Sequence, residues 1–332
     1  MQLFKSGIKS NKIATLAGLV LAVTYLLPEF IERTFDTQST SFSLSKTLFT
    51  KSVPVPVRKP GDMPTLEQPD QFDMASLNTA LNTLDYRLQD IRNGDLVPRF
   101  YVDQIPVDIV DIEDVSKRKS TFIKVVLPLV LSANERIMER RERLKGLINQ
   151  KMQGKSLPPA DRKWLEEMAT RYRGDPANPE RLLVKVDRVP VSMALAQAVE
   201  ESGWGTSRFA REGNALFGQR VWVTGRGIVP EDRAENETYE VKAFKSIADS
   251  IRAYIQNLNS HPAYAEFRKI RARQYSNSGA TPNGLTLIDT LHVYSEKGQE
   301  YVKNLRSLIE INQLSDFEDA TLAPERLAAN RT

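Results

Sequence analysis

Cysteine is absent from the 332 residues, which excludes disulfides, zinc-thiolate sites and a cysteine nucleophile. Histidine is nearly absent too, with only His261 and His292. Two histidines cannot form a three-histidine metal centre, and no Gly-x-Ser-x-Gly elbow accompanies either of them. A strong charge of one sign is also missing: 46 Lys and Arg against 42 Asp and Glu leave a formal net charge of +4. That excess suits an anionic neighbourhood, such as a membrane face or an acidic polymer, and is too weak to indicate nucleic acid. Hydrolytic chemistry in this chain therefore falls to carboxylates and tyrosines.

What is present is an ordinary globular balance, 41% hydrophobic and 27% charged. The long apolar run lies at the N-terminus, where Lys5, Lys9 and Lys12 precede "IATLAGLVLAVTYLL" and Pro28 and Glu29 follow it. The basic flank predicts an N-terminus left in the cytoplasm and the remaining chain exported, which in a bacterium means the periplasm. The run is short for a spanning helix. No small-x-small cleavage site follows, which favours an uncleaved inner-membrane anchor over a cleaved signal peptide. Residues 1–35 are this segment. Residues 36–75 are a Ser/Thr/Pro-rich tether whose prolines favour extended structure.

In residues 76–114, Leu77, Leu81, Leu84, Leu88 and Ile91 form one helical stripe, with Ser76 placed to cap its start and Gly94 its end. "LVPRFYVDQIPVDIVDI" then reads as linker or edge strand. Ser116 to Lys151 predicts a long helix that Pro128 could kink. Its "ERIMERRERLK" stretch reads as a solvated, salt-bridged face. Another helix is expected from Asp161, and the end of the chain after Gln313 reads as a frayed tail.

The stretch "AQAVEESGWGTSRFA" sets two adjacent glutamates before a Ser-Gly-Trp-Gly turn. Pro190 suits the first turn of the helix leading to it. On a wheel of about 100° per residue, Val191, Leu195, Ala198 and Val199 share the core side. Glu200 then faces water, and Glu201 falls at the border of the apolar face near Ala194. A carboxyl there is partly desolvated, which raises its pKa and suits a general acid. The glycines allow positive φ, and Trp204 offers a plane on which a sugar can pack.

"ALAQAVEESGWGTSRFAREGNALFGQR" resembles the catalytic helix and loop of the bacterial N-acetylglucosaminidases of glycoside hydrolase family 73. That family includes the wall-cleaving module of flagellar FlgJ proteins and the exported Bax-type proteins. Its acid is the Glu before Ser-Gly-Trp-Gly, which carries over to Glu201. Asn214, Leu216, Phe217 and Gly218 match its Asn-Leu-Phe-Gly element, with Ala215 as an insertion or a local variant. Phe244, Ser250 and Tyr254 match a further helix motif. Tyr294 matches the family's active-site tyrosine and Tyr301 its structural partner. The resemblance spans about residues 185–312, with the domain as a whole expected over 115–312 and a tail over 313–332.

The resemblance implies a mainly α, lysozyme-like α+β domain with a small β hairpin. It also implies hydrolysis of the β-1,4 bond on the reducing side of N-acetylglucosamine in peptidoglycan glycan strands. Glu201 would be the acid, Tyr294 would assist at the sugar, and Trp204, Asn214, Phe217 and Gly218 would shape the groove. No metal or organic cofactor is implied. Glycosidases generally pair the acid with a second group that attacks or stabilises the cationic centre. The region from Val221 to Phe244 offers Glu231, Asp232, Glu235, Glu237 and Glu240. Strand position favours Glu231, and a Bax-type Glu-Val-x-x-Phe ending favours Glu240, the preferred choice. Attack by the substrate's own acetamide and attack by water both remain open. The rival readings are a muramidase or lytic transglycosylase, and a wall-binding protein without activity. Both histidines read as structural.

Overall fold

The computed structural model describes residues 72–231, 233, 237–278 and 281–324. The expected membrane anchor, most of the tether, Asp232, Glu235 and the last residues of the tail lie outside them. No helix among the described residues is long and apolar enough to cross a membrane.

The first helix, Met74–Thr83 (α1), is capped by Asp73, whose carboxylate accepts the N–H of Ser76 at 2.8 Å. The single stripe expected through Ile91 is broken where Asp85 turns to φ +46°, and it resumes as Leu88–Arg92 (α2). Leu77, Leu81 and Ile91 are nevertheless buried, so the apolar pattern was real although the helix carrying it is not continuous. The following segment forms no regular strand. Val97 makes an isolated bridge with Leu322, and Ile105 and Ile109 reach the core.

Val115–Met152 (α3) is the long helix the sequence predicts, capped by Asp114 on the N–H groups of Ser116 and Lys117. Pro128 is buried within it. The reading of its later half as solvated is corrected at Arg141. That guanidinium turns inward, donating to the carbonyls of Leu183 and Val186, with the Asp187 carboxylate 3.6 Å away. Asn134 grips Val189 in both directions, donating to its carbonyl at 2.8 Å and accepting its N–H at 3.0 Å. This clamp and Pro159–Arg171 (α4) precede the helix that bears the two glutamates.

That helix is Val191–Ser202 (α5), and residues 191–199 are buried throughout rather than along one side. Pro190, at its N-cap, offers no capping side chain. The chain's far end supplies one. Glu318 accepts the N–H groups of Val191 at 2.6 Å and Ser192 at 3.2 Å, the Ser192 hydroxyl, and the N–H of Gly284. A carboxylate at a helix N-terminus also opposes the helix dipole favourably. The expectation of a frayed tail fails here: Leu314, Phe317 and Leu322 are buried, and Glu318 holds the central helix.

Arg208–Gly213 (α6) leads to a three-stranded sheet of Arg220–Val221 (β1), Gly227–Ile228 (β2) and Glu240–Lys242 (β3). The order is β1-β3-β2, with β3 antiparallel to both neighbours, so the expected hairpin is a loop that encircles a central strand. Ile247–Ser260 (α7), Ala265–Ser278 (α8), Gly284–Leu287 (α9) and Gln299–Ile311 (α10) complete the elements used below. One apolar cluster runs from Met74 to Leu322 and takes in both the early helices and the α5–α10 region.

Candidate active site

The Ser-Gly-Trp-Gly turn ends α5 through three successive left-handed residues, Gly203 (φ +58°), Trp204 (φ +61°) and Gly205 (φ +80°). Ser202 stitches the turn to the helix, donating to Ala198 O and accepting the Gly205 N–H at 3.0 Å. A Cβ on Gly205 would meet the Phe122 ring at 3.0 Å, so glycine is required there by space as well as by φ. Trp204 pays for its conformation with packing: its ring lies edge-on to Phe122, and Lys119 Nζ sits 5.0 Å from its centroid. Trp204 thus wedges the turn against α3, which limits the ring surface left for a sugar.

Glu201 is half-buried beside this turn. Burial pushes its carboxyl up to about 7 and neighbouring Glu200 adds to the rise, while a hydrogen bond from Tyr301 and the charge of Lys297 oppose it. Tyr301 donates to Glu201 Oε1 at 2.9 Å. Gly218, at φ +56°, passes the other oxygen so closely that a Cβ there would lie 3.6 Å from Oε2. Glu200 is itself held by Asn304 at 3.2 Å.

The resemblance gives Tyr294 the active role and Tyr301 the supporting one, while it is Tyr301 that donates to Glu201. Tyr294 is buried, stacks on Tyr301 at 5.5 Å, and sends its hydroxyl towards Phe217 O at 3.4 Å. Phe217 is not a groove wall. It is 1% exposed and stacks on Tyr254 with centroids 3.9 Å apart. It immediately precedes Gly218, which passes beside Glu201. Asn214 takes a left-handed turn at φ +52° and donates to Phe244 O at 3.1 Å, while its buried Oδ1 has no partner among the described residues. Leu216 N–H donates to Ser250 Oγ and Phe244 N–H to Gly213 O. The Phe244, Ser250 and Tyr254 positions therefore fasten the loop that borders Glu201.

Glu240, the preferred second carboxylate, is 4% exposed and bound inside the sheet loop. It accepts the N–H groups of Gly225 at 2.9 Å, Arg226 at 3.0 Å and Gly227 at 2.8 Å. These bonds, led by that of Gly225, hold its carboxyl below the usual range. Both oxygens thus accept backbone N–H groups of the loop and shape it. Glu231 is exposed and lies 3.3 Å from Arg208 Nε. Glu237 has one buried oxygen without a partner among the described residues.

His261 accepts the Ala263 N–H, and burial with nearby Arg173 and Arg268 pushes it down to about 4. His292 bonds its own turn through Asp289 O. No group of three metal-ligating side chains occurs among the described residues.

Sequence reasoning passed over Gln197. It is fully buried, donates to the Tyr301 hydroxyl at 2.9 Å and accepts from the Tyr254 hydroxyl at 2.6 Å. The signal for it was an amide in an otherwise apolar run, since a buried amide needs partners.

A family model described as glucosaminidase, mannosyl-glycoprotein endo-beta-N-acetylglucosaminidase, matches residues 181–314. Protein bax of Escherichia coli strain K12 is 36% identical over 205 residues, which cover 59% of this chain and 70% of that protein. No solved structure matches.

Proposed function

We propose, from the premise that this chain belongs to the glucosaminidase family and is of the Bax type, that it is an endo-β-N-acetylglucosaminidase of peptidoglycan. The observation that carries this reading is the Glu201 carboxyl, desolvated to a pKa of about 7, with one oxygen held by Tyr301 and the other beside Gly218. A carboxyl so tuned holds its proton near neutral pH and can deliver it to a leaving glycosidic oxygen.

With Glu240 committed to backbone N–H groups, the reading takes the route that needs one protein carboxyl. The acetamide oxygen of the substrate bonds to the anomeric carbon as the glycosidic bond breaks, and the leaving oxygen takes the Glu201 proton. Water then opens the cyclic intermediate and returns a proton to Glu201. This course retains the β-anomer, so proton NMR of fresh product checks it. The basic, apolar N-terminal segment would anchor the chain in the inner membrane with this domain facing the periplasm.

The test is mass spectrometry of fragments released from purified peptidoglycan by the full chain and by Glu201→Gln. Reducing N-acetylglucosamine ends from the first and none from the second support the reading. Anhydro ends or reducing muramic acid ends would replace it with a transglycosylase or muramidase. Glycan binding without release would make the chain a wall-binding protein.

A further inference from the structure

The geometry points to Gln197 and Tyr254 as positioning residues that fix which oxygen of Glu201 carries the acid's proton. The inference rests on the proposed function of Glu201 and adds to it a built direction of proton delivery.

Three hydrogen bonds run in series, from Tyr254 to Gln197 Oε1 at 2.6 Å, from Gln197 Nε2 to the Tyr301 hydroxyl at 2.9 Å, and from Tyr301 to Glu201 Oε1 at 2.9 Å. Tyr254 has one proton to give, and Gln197 Oε1 receives it. The amide is planar, so its Nε2 must then face Tyr301 as a donor. Tyr301 oxygen accepts there and sends its own proton on to Glu201 Oε1. An oxygen that accepts this bond cannot hold the acid's proton in the same direction. The carbonyl oxygen of a carboxylic acid is a better acceptor than its hydroxyl oxygen, so the Tyr301 bond favours Oε1 as the carbonyl and leaves the proton to Oε2, the oxygen beside Gly218.

The reverse polarity would put the proton on Oε1, aimed inward at Tyr301 and away from a substrate. It would turn the Gln197 amide over and take from the Tyr254 O–H the acceptor it has, although Tyr254 is 0% exposed. A buried hydroxyl with no acceptor is costly, so Tyr254 sets the sense of the whole series. Neither ring can turn away, because Phe217 stacks on Tyr254 and Tyr294 stacks on Tyr301. The groups facing Glu201 are Glu200 on α5, Lys297 ahead of α10, Tyr301 on α10 and, behind them, Tyr254 on α7 and Tyr294. Among these, Tyr301 donates to the carboxyl.

The test follows Glu201 itself. Carboxyl-13C NMR titration of the full chain, with the signal assigned by its loss in Glu201→Gln, is run on wild type, Gln197→Met and Tyr254→Phe. Losing the Gln197 N–H weakens Tyr301 as a donor, so the Glu201 titration is expected to move upward by about half to one pH unit. Tyr254→Phe keeps its stack on Phe217 and should move the titration the same way by less. In hydrolysis, both variants should lower kcat with little change in KM and shift the alkaline limb of the pH profile upward. Unchanged Glu201 titration in folded Gln197→Met and folded Tyr254→Phe would overturn the inference, whatever their activity. A shifted titration in a chain whose wild type releases no fragments would uphold the relay while removing the hydrolase reading.

Discussion

Glu201 is half-buried and Glu240 buried, and their surroundings drive them in opposite directions. Glu201 meets one phenol at Oε1 and a glycine at Oε2, so desolvation dominates and the carboxyl is pushed up to about 7. Glu240 meets three backbone N–H groups, which more than offset its burial and hold it below the usual range. What separates the two carboxylates is therefore the balance of desolvation against donors, with desolvation leading at Glu201 and the backbone N–H groups leading at Glu240. The first can keep a proton to give. The second is an anchor around which the loop from Trp222 to Gly227 closes.

The largest expected break in this comparison is in turnover. Glu201→Gln should lower glycan cleavage about 10³-fold, within the usual contribution of a general acid. Glu240→Gln should stay within roughly tenfold of wild type, because its role is to shape the loop. Rates of soluble fragment release for both variants measure this. Equal losses in the two would return Glu240 to the chemistry.

The next effect is on stability, with the opposite sign. In the unfolded chain Glu201 titrates near 4.5, and in the folded protein near 7. Folding therefore favours the protonated form, and stability falls as pH rises from about 4.5 to about 7. Glu201→Gln removes that cost. It should stabilise the protein by about 2 kcal/mol at pH 8, after discounting for partial exposure, and by little at pH 4.5. Thermal melts of the two proteins at the two pH values test the sign.

The difference between the two carboxylates was only half legible in the sequence. The wheel through Val191, Leu195 and Val199 set Glu201 at an apolar border and Glu200 in water, whereas residues 191–199 are buried all round and both glutamates are half-buried. The same reasoning applied along the chain located α3 nearly to its ends. It could not show that the Gly225–Gly227 amides converge on Glu240, because periodicity reports faces and says nothing of loop closure. Nor could it see Glu318 capping α5 from 127 residues away, since Pro190 gave no sign of where its missing cap would come from. Phe217 and the two tyrosines show a related limit. A motif identifies residues near a site, while packing decides which of them touches it. Tyr301 reaches Glu201, and Tyr294 stacks on its ring.

A smaller effect separates the loop from the acid by pH. The depressed titration of Glu240 means its anchoring is fully present above its unfolded value and is lost as pH falls through its folded one, below the ordinary carboxylate range. Amide hydrogen exchange at Gly225, Arg226 and Gly227 should be slow at neutral pH. After correction for intrinsic rates, it should lose protection below that range. Glu240→Ala should expose the same three amides at all pH values while leaving the Glu201 titration in place. A Glu201 titration that moved in Glu240→Ala would join the two sites electrostatically.

The smallest effect uses two glycines, one at each carboxylate. Gly218 (φ +56°) borders Glu201, and Gly225 (φ +81°) donates to Glu240. Alanine at either should cost about 1 kcal/mol, because a left-handed backbone disfavours a Cβ. Beyond that shared cost the two should diverge. A Cβ at Gly225 meets nothing within 4 Å, so Gly225→Ala should change stability alone. A Cβ at Gly218 lies 3.6 Å from Glu201 Oε2 and displaces water from the oxygen that faces it. Gly218→Ala should therefore also raise the Glu201 titration, by a few tenths of a pH unit, and carry the alkaline limb of the activity profile with it. If both alanines shift that limb equally, the effect arises in the sheet loop as a whole and Oε2 is not the oxygen beside Gly218 that the acid uses.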